Sequence, residues 1–215
     1  MKEWEAKFAI KTAELADQDA AHDILHFQRV VNTAKQLYKE NDANFNIVVP
    51  AAWLHDFVVI PKSDPLRSHA SRLAAKAAVE YLQSVNYPEQ FYEDIIHVIE
   101  SHSFSANIPP QTLEAKIVQD ADRLDALGAI GIARCFVAGG ILNRPIYCFD
   151  DPFCEQRYPE DQLYTLDHFY KKLFQIAASL QTAAGRLEGE QRVAVMREFL
   201  HQLDREITPS ELPTP

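Results

Sequence analysis

The chain has 215 residues, 47% of them hydrophobic, and a formal net charge of −10. That is enough apolar material for a sizeable core, and the charge has the wrong sign for a nucleic-acid scaffold. It carries only six glycines, all at or beyond Gly128, where a soluble chain of this size would hold roughly fifteen. A glycine-rich dinucleotide turn or P-loop is excluded from the first 127 residues, and the later glycines match neither motif.

An anionic small substrate would be repelled by this net charge and would need a local cation. Met1 to Lys7 is charged and amphipathic, without the apolar stretch of a secretory signal, and no apolar run reaches the roughly 18 residues of a membrane span. Cys135, Cys148 and Cys154 are odd in number and form no C-x-x-C pair. A cytoplasmic, reducing location with no membrane partner is the expectation.

Apolar spacing predicts an all-α chain. A first helix fits 3–16 and a second runs from Asp23, as N-cap, to about Lys39. The second carries Phe27, Val30, Val31, Ala34 and Leu37 at helical intervals. The third, about 46–57, is apolar almost all round and should be buried. Pro61 and Pro65 then impose a loop. Helices follow over 68–84, with Ser68 as a possible cap, over 88–102 and over 112–137. An irregular or short-hairpin excursion is expected near 139–160, where Pro145, Pro152 and Pro159 interrupt the pattern, before helices over 162–184 and 186–206. The expected organisation is one helical domain over 1–207 with a disordered tail over 208–215.

Six of the eight histidines fall between His22 and His102. Within the apolar run from Ile47 to Ile60 stands the pair His55-Asp56. Burying an ionised carboxylate is costly unless it meets a cation, a metal or several donors. Either Asp56 caps the helix beside a satisfied core histidine, or the pair binds a metal. Further on, Asp120 lies between Ile117 and Leu124 on one helical face, with Asp122 and Asp125 on flanking faces. Arg123 could pair with Asp120, which leaves a buried ion pair as the alternative to a metal ligand. His26 shares a face with Arg29 and Val30. His22, one turn earlier, is either a second imidazole beside it or an exposed residue. His26, His55, Asp56 and Asp120 together form a mixed nitrogen and oxygen ligand set suited to Mn²⁺, Fe²⁺, Zn²⁺ or Mg²⁺. In six-coordinate geometry such a set leaves positions for water and a phosphate oxygen.

The order His26, His55-Asp56, Asp120 resembles the H…HD…D signature of the HD-domain metal-dependent phosphohydrolases, on a helical bundle. The likeness is closer to the YedJ/YpgQ-like branch. It is carried by the blocks Ala21–Val30, Leu54–Lys62, Ser101–Ser105, Gln119–Ala133 and Gln181–Arg186. The resemblance implies hydrolysis of a nucleotide phosphoester or anhydride with one divalent ion. That ion would be Mn²⁺, Mg²⁺, Fe²⁺, Ni²⁺ or Zn²⁺, with Mn²⁺ or Mg²⁺ favoured for activity. Cleavage of nucleoside or deoxynucleoside triphosphates to monophosphate and pyrophosphate leads. A phosphodiesterase for cyclic or signalling nucleotides, a monophosphate nucleotidase and a non-catalytic metal-binding sensor domain remain as alternatives. Lys62, Arg67 and Arg29 are candidate phosphate contacts, each with a solvated surface cation as its plain alternative. His102 and Glu100 are candidate proton carriers, with His102 ranked above His97, and Arg123 and Asp125 are candidates to orient Asp120.

Overall fold

The computed structural model describes residues 1–16, 24–39, 42–58, 60, 64, 66, 69–103 and 106–208. The expected caps Asp23 and Ser68, the residues His22, Lys62 and Arg67, and the tail from 209 lie outside them. The described residues form nine α-helices and no strand. By contact density the chain divides into two units, residues 1–125 with 180–185, and residues 126–179 with 186–215.

The first unit holds α1 (Lys2–Ala16), α2 (Ile24–Lys39), α3 (Phe45–Leu54), α4 (Ala70–Ser84), α5 (Tyr92–His102) and α6 (Leu113–Asp125). Its middle is α3, buried from Ile47 to Leu54 because it is apolar on every side. α2 packs on α3 and α6, α5 packs on α3, α4 and α6, and α1 covers α3. Fully buried side chains from each neighbour close the core, among them Phe8, Val30, Ile95, Ile99, Ile117 and Leu124. Asn44 caps α3 by accepting from the Asn46 N–H at 3.0 Å. Pro50 lies inside α3 and cannot donate to the carbonyl four residues back, that of Asn46. The Tyr87 hydroxyl fills that place, donating to the Asn46 carbonyl at 2.7 Å.

Several boundaries differ from the expected ones. α3 stops at Leu54, so His55 and Asp56 sit on the turn after it rather than inside it. Pro88 opens a 3₁₀ turn, Glu89–Phe91, before α5 begins at Tyr92. The helix expected over 112–137 is two helices, because the chain turns at Gly128 with φ +70°, a conformation that glycine adopts without a steric cost. The second helix, α7, covers Gly128–Ile141.

α7 belongs to the second unit, with a π-turn (Phe169–Leu173), α8 (Phe174–Ala178) and α9 (Ala183–Ile207) from Arg186 onward. The helix expected over 162–184 is thus shorter and broken before α9. Phe136, Phe169 and Phe199 pack together, with ring centroids 5.7–6.2 Å apart. The excursion after α7 is irregular; the Thr165 and Leu166 N–H groups donate to the Pro145 and Ile146 carbonyls, and side chains add further order. Asp151 accepts the N–H groups of Glu155, Gln156 and Arg157. The Arg157 guanidinium grips the fully buried Asp167 through both terminal nitrogens. Among the described residues no single helix is long and apolar enough to cross a membrane.

Candidate metal centre

The site lies within the first unit, where α2, α6 and the ends of α3 and α5 meet. His55 follows α3 as its C-cap, and His102 ends α5. Each donates Nδ1–H to the carbonyl three residues back, His55 to Ala52 at 2.9 Å and His102 to Ile99 at 2.6 Å. These bonds satisfy carbonyls that a helix end leaves without an internal partner. A carbonyl only accepts, so Nδ1 carries a proton in both rings, and in the neutral His55 ring the lone pair of Nε2 is turned outward. His26 of α2 is oriented in the same sense by a carboxylate. Its Nδ1 meets Asp125 Oδ2 at 2.8 Å. Arg29 clamps that carboxylate, with Nε at 2.6 Å from Oδ1 and Nη2 at 3.1 Å from Oδ2.

The consequence is a pair of facing nitrogens. His26 Nε2 and His55 Nε2 stand 3.3 Å apart, in side chains only 2% and 0% exposed. With both Nδ1 atoms committed as donors, two lone pairs point into one small space. Asp56 joins them, and His26, His55 and Asp56 bring one ligand atom each within 4.8 Å of one another. Asp122 Oδ1 lies 3.7 Å from His26 Nε2 and 3.8 Å from His55 Nε2. Adjacent ligands on a metal with bond lengths of about 2.1 Å lie about 3 Å apart, so this donor set fits a divalent cation. Burial lowers the His55 pKa to about 4 against the opposing pull of Asp56, which keeps the ring neutral and able to donate its lone pair. His102 Nε2 faces Asp56 Oδ1 at 3.4 Å. Burial alone would lower its pKa, but the Asp56 hydrogen bond and the charges of Asp56 and Asp122 outweigh it and the pKa is raised.

The structure thus brings together His26, His55, Asp56 and His102, with Arg29 and Asp125 behind them. It places Asp120 elsewhere. The Asp120 oxygens accept from Gln181 N–H, Thr182 N–H and the Thr182 hydroxyl, each at 2.7 Å, and face the 180–185 segment. Asp122 occupies the position by the histidines that the sequence reading assigned to Asp120. Asp125 differs too, since it orients His26 rather than Asp120. Arg123 is half-buried; burial lowers its pKa, opposed by the charges of Asp120 and Asp122. Glu100 lines a groove between α4 and α5 with Arg72 and Lys76. The ring of His97 accepts from the Gln111 N–H at 3.0 Å. The sequence carried one signal for Asp122: it stands three residues before Asp125, so the two carboxylates share a helical face.

A family model described as the HD domain matches residues 23–127. YpgQ of Bacillus subtilis (strain 168) is 30% identical over 214 residues, covering 96% of each chain. An HD-superfamily hydrolase from Bacillus thuringiensis superposes with a TM-score of 0.76 at 32% identity, over 97% of this chain and 99% of that one. Bacillus subtilis YpgQ in complex with ADP gives a TM-score of 0.75 at 28% identity, over 95% and 98%. With the sequence likeness running nearly end to end, the chain belongs to the HD-domain superfamily, in its YpgQ-like branch.

Proposed function

We propose that this chain is a metal-dependent phosphohydrolase that uses one divalent ion, Mn²⁺ or Mg²⁺ for activity, to cleave a nucleotide. Nucleoside and deoxynucleoside triphosphates, split to monophosphate and pyrophosphate, are the proposed substrates. The observation that carries this reading is the His26–His55 pair, whose Nε2 atoms face each other while Asp56 and Asp122 line the same space. The ADP complex of YpgQ supports a nucleotide ligand. His26, His55, Asp56 and Asp122 would hold the ion. When bound, such an ion makes a water more acidic and offsets the charge of a phosphate oxygen.

The chain's own groups supply the rest. Asp125, clamped by Arg29, keeps His26 in the tautomer that presents Nε2. His102, with Nδ1 fixed by Ile99 and its pKa raised beside Asp56, holds a proton at Nε2 next to the centre, the position of a general acid. Arg123, which feels the charges of Asp120 and Asp122, is the proposed partner for a phosphate oxygen. Lys62 and Arg67, which follow the His-Asp pair in the sequence, remain proposed phosphate contacts.

The test is a panel of nucleoside mono-, di-, tri- and cyclic phosphates with Mn²⁺, Mg²⁺, Fe²⁺, Ni²⁺ or Zn²⁺ added, scored for phosphate against pyrophosphate. Pyrophosphate from triphosphates is the expected result. Turnover of cyclic nucleotides alone would replace it with a phosphodiesterase. Metal binding without any turnover would make the chain a sensor.

A further inference from the structure

We propose that Asp120 is a positioning residue: it locks the turn of α6 that carries Asp122 against the segment 180–185, and so sets where the Asp122 carboxylate stands. This rests on the metal reading above.

Asp120 is fully buried, yet both its oxygens are used by groups 61 and 62 residues away in sequence. Gln181 N–H donates to Oδ1, while Thr182 donates to Oδ2 through its N–H and its hydroxyl. The same hydroxyl accepts from the Gly185 N–H at 2.9 Å, which caps the start of α9. A carboxylate there also meets the positive end of the helix dipole. The fit leaves no room for a side chain at Gly185, where a Cβ would lie 2.3 Å from Asp120 Oδ2. Beside it, Gln119 donates to the Ser101 carbonyl at the end of α5, at 2.7 Å. On the other side of Asp122, Asp125 is tied to His26 and Arg29.

α6 is therefore held by polar bonds both before and after Asp122. A rotation of a helix by about 10° displaces a side-chain tip by roughly 1 Å. Displacements of that size are enough to loosen a ligand set. Three donors on one buried carboxylate prevent such a rotation. Their demand on both oxygens also distinguishes Asp120 from Asp122, which faces imidazoles.

The experiment is a Mn²⁺ titration of the full chain, followed by electron paramagnetic resonance and calorimetry well below the melting temperature. Asp120→Asn replaces one accepting oxygen by a donor and should weaken Mn²⁺ binding about tenfold and change the Mn²⁺ spectrum. Thr182→Val should act in the same direction to a smaller degree, and Thr182→Ser, which keeps the hydroxyl, should behave as wild type. Wild-type affinity and spectrum in a folded Asp120→Asn variant would overturn the proposal, leaving a plain structural anchor. A loss as complete as that of Asp122→Asn would overturn it in the other direction, making Asp120 a ligand. Should Asp120→Asn not fold, the contrast between Thr182→Val and Thr182→Ser decides by the same criterion. A wild-type chain that binds no Mn²⁺ would remove the metal reading itself.

Discussion

The Nε2 atoms of His26 and His55 face each other at 3.3 Å across two elements, each turned there by a bond that its own Nδ1 makes behind it. The centre is thus arranged by hydrogen bonds pointing away from it. Removing a ligand and removing what orients a ligand should therefore differ in size.

His55→Ala, Asp56→Asn and Asp122→Asn should each abolish stoichiometric Mn²⁺ binding. Their loss of turnover should exceed the roughly 10–100-fold that supporting residues carry. Metal analysis of the purified variants, alongside steady-state rates, checks this. Retained Mn²⁺ in Asp122→Asn would show that the 3.7 Å and 3.8 Å approaches to the histidines have no part in binding.

Asp125→Asn should keep the fold but free the His26 ring, because the clamp of Arg29 on Asp125 fixes its orientation. Mn²⁺ affinity should fall by about 10–100-fold, with kcat reduced in parallel. Calorimetric titration measures the first and initial rates the second.

In the metal-free protein His55 and His102, two of the three buried histidines, should act on opposite sides of pH 6.5. The His55 pKa is depressed to about 4, by burial first, with Asp56, His102, Asp122 and His26 around it. Between pH 6.5 and 4 the unfolded chain takes up a proton that the folded chain refuses, so stability falls as pH falls through that window. The change is at most about 3 kcal/mol. The His102 pKa is raised, so its contribution is complete below pH 6.5 and is lost as pH rises through its folded value. Urea unfolding across pH should show His55→Gln flattening the acid limb and His102→Gln flattening the alkaline one.

Tyr87→Phe should cost about 1 kcal/mol, because it removes a half-buried hydrogen bond whose hydroxyl donor replaces the missing Pro50 N–H at the Asn46 carbonyl. In a Pro50→Ala background, the restored backbone N–H can take that carbonyl, and Tyr87→Phe should then cost less. A double-mutant cycle by chemical denaturation reads the difference directly.

Much of the fold was legible because helical spacing is a local signal. The stripe of α2 and the all-round apolar run of α3 follow from side-chain spacing alone. The breaks were less legible. A periodic apolar pattern runs on across a break: α3 stops at Leu54 although the apolar run continues, and the chain turns at Gly128 where φ is +70°.

The site divides in the same way. His55 and Asp56 could be named from the chain, since a histidine and a carboxylate inside an apolar run must answer to something charged, and His26 from its helix face and the H…HD…D resemblance. For the fourth position, the apolar helical face and the family resemblance point to Asp120. Burial does not tell a carboxylate that meets a metal from one that meets N–H groups. Asp120 is fully buried because Gln181 and Thr182 satisfy both its oxygens, whereas the Asp122 side chain keeps 28% of its surface, as a centre open to a substrate requires. The sequence by itself determined that this glycine-poor helical chain, if it meets phosphate, meets it through a metal rather than through a backbone loop. Only the tertiary structure decided which carboxylate on α6 faces the histidines, because residues two apart on a helix point about 200° apart and only the packed neighbours reveal which direction holds the rings.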